Sequence, residues 1–377
     1  MTRFAATNGH IVMPDGVLDR ATLDIAGDSI VAILPEVDDD ALDLDGGWLM
    51  PGFIDTQVNG GGGILFNDSI DVAGIAAIGA AHAQFGTTGF LPTLISDDLD
   101  RVALALDASE TAVRAGVPGV LGVHIEGPFL NVARKGIHDA AKLRTLDAEA
   151  LDLLTRPRAG IVMLTLAPER CTPADIAALA AAGVIVSAGH SDADHRTIRA
   201  ALDAGLRGFT HLFNAMSPLL HRAPGVVGAA LDDRDSWCGL IVDGVHVDPV
   251  VLRIALRAKG ADKLMLVTDA MANIGTGDDS FMLQGKRIGV ADGKLVDAAG
   301  TLAGADLDMA SAVRNAVAMI GAAPEIAAAM ASTAPAAFLR LAHRRGALAA
   351  GLRADWVWLD AALRPRGTWI GAQRVHD

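Results

Sequence analysis

The feature that most constrains the fold is an alternation of short apolar runs with alanine-rich segments of helical period. The apolar runs lie at residues 90–94, 120–125, 161–166, 184–188, 208–211, 239–242 and 263–268, and one more lies near 52–58. Runs of this length between helical segments predict parallel strands joined by helices. About eight such strands close a (β/α)8 barrel. We therefore predict an α/β fold with a TIM-like barrel over residues 51–345.

The two chain ends follow a different pattern. Short β-like runs lie at residues 11–12, 21–25 and 29–33 between turn residues, and Trp356–Leu359 is predicted to be a buried strand near the other end. We predict that residues 1–50 and 346–377 pair into one small β-sandwich domain. Glycine-rich residues near 278–303 interrupt the barrel pattern and predict an inserted β-hairpin.

Charge and hydropathy limit the partners. The net charge of −14 and the lack of a basic run disfavour a polyanion, so we expect no nucleic acid partner. No segment reaches the roughly 20 apolar residues that span a bilayer, and the first residues lack a leader pattern. We expect a cytoplasmic protein with no membrane partner, in which Cys171 and Cys238 are buried thiols.

Polar side chains end successive predicted strands. Active sites of (β/α)8 barrels lie at the carboxyl ends of the strands. A purely structural role does not explain why one strand after another ends in histidine or a carboxylate. The residues at these ends are Gln57, Asn59, His124, Glu126, His190, His211, His246 and Asp269.

Three of these residues form a candidate metal site. Glu126, His190 and His211 offer one carboxylate and two imidazoles, the type of ligand set that catalytic zinc uses while a further position stays open for water. Any one of them alone is more often a satisfied polar group, and their recurrence at strand ends favours the metal. The set accepts several divalent ions, so it does not fix which one is physiological.

Asp269 and His246 are the candidate catalytic groups. Asp269 follows an apolar run, and beside a cation its pKa should fall, so that the ionised carboxylate could accept a proton from water. A helix N-cap is the structural alternative for Asp269. His246 is a candidate to polarise a carbonyl group or to hold a substrate oxygen.

Several motifs occur together and in order. They lie at residues 51–55 (PGFID), 124–129 (HIEGPF), 135–138 (KGIH), 189–191 (GHS), 210–216 (THLFNAM), 243–246 (DGVH) and 267–270 (VTDA). On these motifs the chain resembles the N-acetylglucosamine-6-phosphate deacetylase family of the amidohydrolase superfamily, over nearly its whole length. The resemblance implies a hydrolase that converts N-acetylglucosamine 6-phosphate to glucosamine 6-phosphate and acetate. It also implies one divalent metal on Glu126, His190 and His211, Asp269 as base then acid, and His246 on the substrate carbonyl.

The resemblance also implies positions that bind the sugar phosphate. Arg222 is the implied phosphate ligand, because a guanidinium forks onto phosphate oxygens, although a solvated surface charge is the structural alternative. Whether Arg222 serves its own subunit or a neighbour stays open. Family members are typically dimers, so the resemblance implies a homodimer. The other implied substrate-binding positions are Ile137, His138, Asn214, Ala215, His246, Leu302, Ala303 and Gly304.

Two departures from the wider pattern affect the site. Most amidohydrolases carry two histidines where this chain has Gln57 and Asn59, and amides are poor metal ligands, so we expect one metal per subunit, most simply zinc. One branch of the deacetylase family shares this substitution. Asp308 stands near where family members more often carry Ser or Thr, with no consequence that the sequence defines.

Three alternatives remain on sequence alone. The substrate could be N-acetylgalactosamine 6-phosphate, which differs at one hydroxyl and would use the same metal site. A cyclic-amide hydrolase would need the paired histidines and a lysine that bridges two metals, which are missing at the expected places. A non-catalytic sugar-phosphate binding protein is disfavoured by the complete set of Glu126, His190, His211 and Asp269.

Overall fold

The structure is a computed structural model that describes residues 2–37, 40–291 and 293–376. Residue 292 of the predicted insertion and residues 1, 38, 39 and 377 of the predicted end domain lie outside the described residues. In chain order the strands are β1 (Thr2–Thr7), β2 (His10–Met13), β3 (Gly16–Leu18), β4 (Ala21–Ala26), β5 (Ser29–Leu34), β6 (Leu42–Asp43), β7 (Trp48–Pro51), β8 (Phe53–Val58), β9 (Gly60–Gly61), β10 (Ile64–Leu65), β11 (Thr87–Ile95), β12 (Gly122–Glu126), β13 (Ile161–Leu166), β14 (Ile185–Ala188), β15 (Gly208–Phe209), β16 (Trp237–Leu240), β17 (Leu264–Leu266), β18 (Ser280–Leu283), β19 (Lys286–Ala291), β20 (Lys294–Val296), β21 (Trp356–Leu359), β22 (Pro365–Ile370) and β23 (Gln373–His376).

Eight parallel strands form the central sheet in the order β8-β11-β12-β13-β14-β15-β16-β17. The first and last of them meet at a parallel bridge between Val58 and Ala270, which closes the sheet into a barrel. This confirms the predicted (β/α)8 fold. Three predicted strands end two residues earlier than expected. They are β15, which ends at Phe209 so that His211 lies beyond it, β16, which ends at Leu240, and β17, which ends at Leu266.

The helices surround the barrel, and aspartates begin many of them. Asp71, Asp147, Asp194, Asp248 and Asp308 each accept a hydrogen bond from a backbone N–H in the first turn of a helix. Such caps satisfy donors that lack partners within the helix. The helices are α1 (Val72–Ala83), α2 (Leu99–Arg114), α3 (Ala148–Thr155), α4 (Pro173–Ala181), α5 (His195–Asp203), α6 (Gly225–Asp232), α7 (Pro249–Lys259), α8 (Met309–Ile320), α9 (Pro324–Ala331) and α10 (Thr333–Phe338).

Apolar side chains plug the amino-terminal end of the barrel. Ile54, Leu91, Met163 and Met265 come from four strands and pack in one buried cluster with Phe338 of α10. Burying a side chain of this size stabilises the fold by roughly 1.5–3 kcal/mol. The opposite end, where the strands finish, is therefore the end that is left to form a cavity.

Both chain ends contribute to two further sheets. One has the order β5-β4-β1-β6 and the other the order β23-β22-β21-β7-β2-β3. Ile25, Leu49, Trp356 and Trp369 are buried between them, as expected of a small β sandwich. The division of the chain at residues 50 and 346 stays a prediction.

Two expectations need correction. The insertion is a three-stranded antiparallel sheet, β18-β19-β20, and not a single hairpin, because positive-φ glycines at Gly285 and Gly293 turn the chain twice. Cys238 is buried as predicted, whereas Cys171 is only partly buried, since it lies in the loop between β13 and α4. Among the described residues, we find no helix that is both long and apolar enough to cross a bilayer.

Candidate active site

A cavity of about 380 Å³ opens at the carboxyl ends of the barrel strands. Its volume lies within the range of roughly 300–1,000 Å³ that is typical of small-molecule sites. Both polar and apolar side chains line it. They include Asn59, Glu126, Ile137, His138, His190, His211, Asn214, Ala215, His246, Asp269, Leu302 and Gly304.

Glu126, His190 and His211 converge in this cavity and form what we call the candidate metal cluster. Glu126 Oε1 lies 3.2 Å from His190 Nε2 and 3.1 Å from His211 Nε2, and the two nitrogens are 3.0 Å apart. Ligand atoms about 2.0–2.1 Å from a tetrahedral zinc ion would lie about 3.3 Å from one another. The spacing of the three atoms therefore fits a single small cation between them.

The second ring nitrogen of His190 supports the same assignment. His190 Nδ1 lies 2.8 Å from the carbonyl oxygen of Arg134, which can only accept a hydrogen bond. A proton must therefore be on Nδ1, and Nε2 is the ring nitrogen that faces Glu126. This arrangement is usual for histidines that bind metals. His211 Nδ1, in contrast, is buried without a hydrogen-bond partner among the described residues.

Glu126 is ionised in this setting. Burial alone would raise its pKa, but hydrogen bonds from the His190 and His211 rings outweigh burial and hold the pKa well below its usual value. The charge of the carboxylate and the hydrogen bond to it also raise the pKa of His211, against the effect of burial. An anionic carboxylate between two imidazoles is an environment that attracts a cation.

Asp269 lines the same cavity as the candidate metal cluster. Its Oδ1 accepts hydrogen bonds from Gln57 Nε2 at 3.0 Å and from Asn59 Nδ2 at 2.7 Å. Burial, and then the negative charge of Glu126, raise the pKa of Asp269 to about 6. The alternative role as a helix N-cap is wrong, because no helix begins at Asp269. Gln57 lies behind the cavity wall, where Nε2 also contacts both oxygens of Glu126 at 3.2 and 3.3 Å.

His246 is held by the carboxylate of Asp243. His246 Nδ1 lies 2.6 Å from Asp243 Oδ2, and the backbone N–H of His246 donates to Asp243 Oδ1 at 2.9 Å. Burial opposes ionisation of Asp243, but the hydrogen bond and charge of His246 outweigh it and lower the pKa of Asp243. Nδ1 of the ring is thus used by Asp243, and Nε2 is left for a ligand in the cavity.

His138 lies next to the candidate metal cluster, and one ligand atom each of His138, Glu126 and His190 fall within 4.8 Å of one another. The backbone N–H of Ser96 donates to His138 Nδ1 at 3.3 Å, and Ser96 Oγ lies 2.7 Å from the same nitrogen. A nitrogen that accepts from an N–H carries no proton, so the proton of the neutral ring is on Nε2. Burial, and then the charge of His190, lower the pKa of His138 to about 3, which keeps the ring neutral. We infer that His138 is a hydrogen-bond donor rather than a fourth ligand.

Most of the other expected substrate-binding positions line the cavity. Ile137, Asn214, Ala215, Leu302 and Gly304 line the cavity, and Ala303 between the last two is fully buried.

Arg222 is not brought to this cavity. It lies exposed in a neighbouring cleft, together with Arg134, Asp192 and His195. Asp308 also lies outside the cavity, where it caps α8 by accepting from Ser311 N at 2.8 Å and from Ser311 Oγ at 2.6 Å. Asp308 thus serves as a helix N-cap, a role that serine and threonine also fill, so the cap does not explain the departure from Ser or Thr.

Sequence reasoning missed residues that support the site from behind. Glu169 accepts hydrogen bonds from Ser191 Oγ at 2.7 Å and from Asn131 Nδ2 at 2.9 Å, and so holds the loop that carries His190. Asp55 is fully buried within β8 and accepts from Thr268 Oγ1 at 2.5 Å. Its position inside a strand that is otherwise mostly apolar was the available signal, since unpaired charges are rarely buried.

Comparison with known proteins gives a consistent result. Residues 48–375 match the profile of the Amidohydrolase family. The chain is 44% identical over 334 residues to an N-acetylgalactosamine-6-phosphate deacetylase of Shewanella sp. (strain ANA-3), covering 89% of this chain and 84% of that protein. It is 40% identical over 357 residues to an N-acetylglucosamine-6-phosphate deacetylase of Bos taurus, covering 90% and 86%. The solved N-acetylglucosamine-6-phosphate deacetylase of Pasteurella multocida superposes with a TM-score of 0.95 at 36% identity, over 100% of both chains.

Proposed function

The chain belongs to the amidohydrolase family, and from that premise we propose that it hydrolyses N-acetylglucosamine 6-phosphate to glucosamine 6-phosphate and acetate. The observation that carries the proposal is that Asp269 lines one cavity together with Glu126, His190 and His211. Amide hydrolysis at neutral pH needs an activated water and a group that moves its proton, and this arrangement can provide both.

The candidate metal cluster would hold one divalent ion, for which zinc is the simplest choice given two imidazoles and one carboxylate. When bound, such an ion lowers the pKa of a coordinated water and polarises the acetamide carbonyl. Gln57 and Asn59 disfavour a second ion, because both amides are used as hydrogen-bond donors to carboxylates.

The side chains around the cavity would divide the remaining work. Asp269 accepts the proton of the attacking water and then delivers it to the nitrogen of the leaving amino sugar. Asp243 Oδ2, 2.6 Å from His246 Nδ1, holds the ring so that its other nitrogen is left for the cavity. When that nitrogen carries a proton, it can donate to the acetamide oxygen as negative charge develops there.

Neutral groups would hold the sugar. His138 donates through Nε2, and Asn214 also lines the cavity, with its Nδ2 bonded to the carbonyl oxygen of His211 at 3.2 Å. Leu302 adds an apolar surface to the lining. The lining of this cavity includes no Lys or Arg among the described residues, so a phosphate group needs a cation from elsewhere. We propose Arg222 for that role, from the same subunit or from a second copy in a homodimer.

N-acetylgalactosamine 6-phosphate is the second candidate substrate. It is favoured by one specific observation, since the relative that is 44% identical carries that sugar in its name. The two sugars differ at one hydroxyl, and the proposed chemistry at the acetamide group is the same for both.

Acetate release from the two sugar phosphates, measured side by side on metal-loaded protein, tests the proposal. We expect turnover of at least one, and the ratio of the two kcat/KM values identifies the preferred epimer. No acetate from either, with one metal bound per chain, would contradict the proposed function. We further propose a cytoplasmic location, because phosphorylated sugars do not cross membranes unaided.

A further inference from the structure

We propose that Gln57 and Asn59 are positioning residues that hold one oxygen of Asp269 and leave the other oxygen as the proton acceptor. The inference rests on the proposed function, since it assigns Asp269 as the group that moves the proton. It gives these two amides an active role, beyond their failure to bind a second metal.

Two side-chain donors converge on the same carboxylate oxygen. Gln57 Nε2 is 3.0 Å and Asn59 Nδ2 is 2.7 Å from Asp269 Oδ1. Within residues 2–37, 40–291 and 293–376, no side chain or backbone group donates to Oδ2, although Asp269 lines the cavity. The two oxygens are therefore not equivalent. Oδ1 is occupied by donors, and Oδ2 is free to meet a water molecule.

The orientation of Asn59 is explained by Asp269 alone. Asn59 is 4% exposed, and its Oδ1 is buried with no hydrogen-bond partner among the described residues. Exchanging the amide oxygen and nitrogen would place an oxygen against Asp269 Oδ1, where two acceptors would repel each other. An unpaired buried acceptor destabilises a fold. Asn59 Oδ1 is nevertheless left unpaired, and this orientation lets Asn59 Nδ2 donate to the Asp269 carboxylate.

Gln57 connects the base to the candidate metal cluster. Its Nε2 carries two hydrogens, one directed at Asp269 and the other at Glu126, whose oxygens lie at 3.2 and 3.3 Å. Two carboxylates in a buried site repel each other. A neutral donor between them reduces that repulsion without adding a charge that would compete with the metal.

The barrel seam fixes the distance between the amides and the base. The backbone N–H of Asp269 donates to the Gln57 carbonyl at 3.1 Å, and the N–H of Asn59 donates to the Ala270 carbonyl at 2.9 Å. Below them, Asp55 accepts from the Gln57 N–H at 3.1 Å and from Thr268 Oγ1 at 2.5 Å. The first and last barrel strands are thus tied on both sides of the contact, so the backbone that carries the carboxylate is fixed relative to the two amides.

The test is a double-mutant cycle between Asn59→Ala and Asp269→Asn on the metal-loaded, full-length protein. Asn59→Ala should lower kcat by about 10- to 150-fold, the effect of losing a hydrogen bond to a charged group, with little change in KM and with one metal retained. In the Asp269→Asn background, Asn59→Ala should change the residual rate by no more than about two-fold, because the residue acts through Asp269. Losses that multiply in the double variant would overturn the proposal.

Gln57→Leu is an independent test. It should lower kcat by a similar factor in the wild-type background and have little effect in the Asp269→Asn background. Asn67→Ala is the matched control, since Asn67 is also a buried amide of this region but has no contact with Asp269. It bonds the backbone of Ile95 at 3.0 and 3.1 Å and the carboxylate of Asp97. Asn67→Ala should lower the melting temperature without a kcat loss of that size. A kcat loss equal to that of Asn59→Ala would show that any buried amide here has the effect, and would overturn the proposal.

A crystal structure of Asn59→Ala provides a result that does not depend on turnover. We expect the Asp269 carboxylate to be rotated or to occupy more than one orientation. A carboxylate in the wild-type orientation would overturn the positioning role. If the carboxylate moves but the wild-type protein hydrolyses neither sugar phosphate, the proposed function is wrong and the positioning role stands.

Discussion

Asp269→Asn is the substitution that separates proton transfer from metal binding. The asparagine oxygen can accept both hydrogen bonds that Oδ1 now accepts, from Gln57 at 3.0 Å and from Asn59 at 2.7 Å. Its amide nitrogen then stands where Oδ2 faces the cavity, and it can neither accept a proton from water nor deliver one to the leaving nitrogen. The substitution thus keeps the shape of the site and removes one chemical step.

The expected loss follows from that step. Positioned acid–base groups contribute roughly 10²- to 10⁴-fold, so kcat should fall by that factor, which corresponds to about 2.7–5.5 kcal/mol in the barrier. KM and metal content should change little, because no ligand of the candidate metal cluster is altered. Acetate release and elemental analysis on the same preparation measure both quantities.

Asp279→Asn is the matched control for this substitution. Asp279 is an exposed carboxylate that does not line the cavity, and its loss should leave kcat unchanged. An Asp269→Asn protein with a near-normal rate and an intact metal would refute the reasoning. It would place the base elsewhere, with His246 as the next residue to substitute.

The remaining predictions concern the metal, the pH dependence and the phosphate. Elemental analysis after dialysis should find one metal per chain, and two persistent equivalents would contradict the roles given to the amides. Glu126→Gln and His190→Ala should each lose that metal, which separates them from Asp269→Asn. The value of kcat/KM should fall as the pH drops, because only ionised Asp269 accepts a proton. The pKa of Asp269 is about 6 without a metal, and a bound cation lowers it. A midpoint of the pH profile well above pH 6 would contradict the assignment. Arg222→Ala should raise KM for the phosphorylated sugar by about 10- to 150-fold with little effect on N-acetylglucosamine, and Arg222→Lys should recover part of the loss. Equal effects on both sugars would show that Arg222 supports the fold or the dimer.

The sequence predicted which polar residues meet in the candidate cavity, because these residues follow apolar runs. Parallel strands of a closed barrel end at one rim, so polar residues at the ends of separate runs must come together there. Glu126, His190, His211 and Asp269 were placed by this argument without knowledge of any distance. The exact strand ends did not matter, since His211 lies two residues beyond β15 and still reaches the cluster.

Residues that act through long-range contacts could not be predicted in the same way. Ser96 bonds a histidine 42 positions away, and Asp55 bonds a threonine 213 positions away. Neither pairing follows from periodicity, because it depends on how neighbouring strands are aligned. Arg222 differs from these residues, because residues 217–224 lead into a separate cleft and the guanidinium lies outside the cavity of its own chain. Its role at the sugar phosphate stays a prediction.

The backbone at the barrel rim shows that function outweighs local stability there. His190, His211 and Asp269 have φ angles of 49°, 35° and 52°, in the left-handed region that favours glycine. For other residues this region costs about 1–2 kcal/mol each, and glycine would remove that cost. The side chains are therefore what these positions require, since a left-handed residue just past a strand turns its side chain over the rim. Rigidity comes instead from the seam, where Asp55 and Thr268 tie the first strand to the last beneath the strained residues. A site that depends on three strained residues needs such a tie, because otherwise relaxation of the backbone would separate the proton acceptor from the metal ligands.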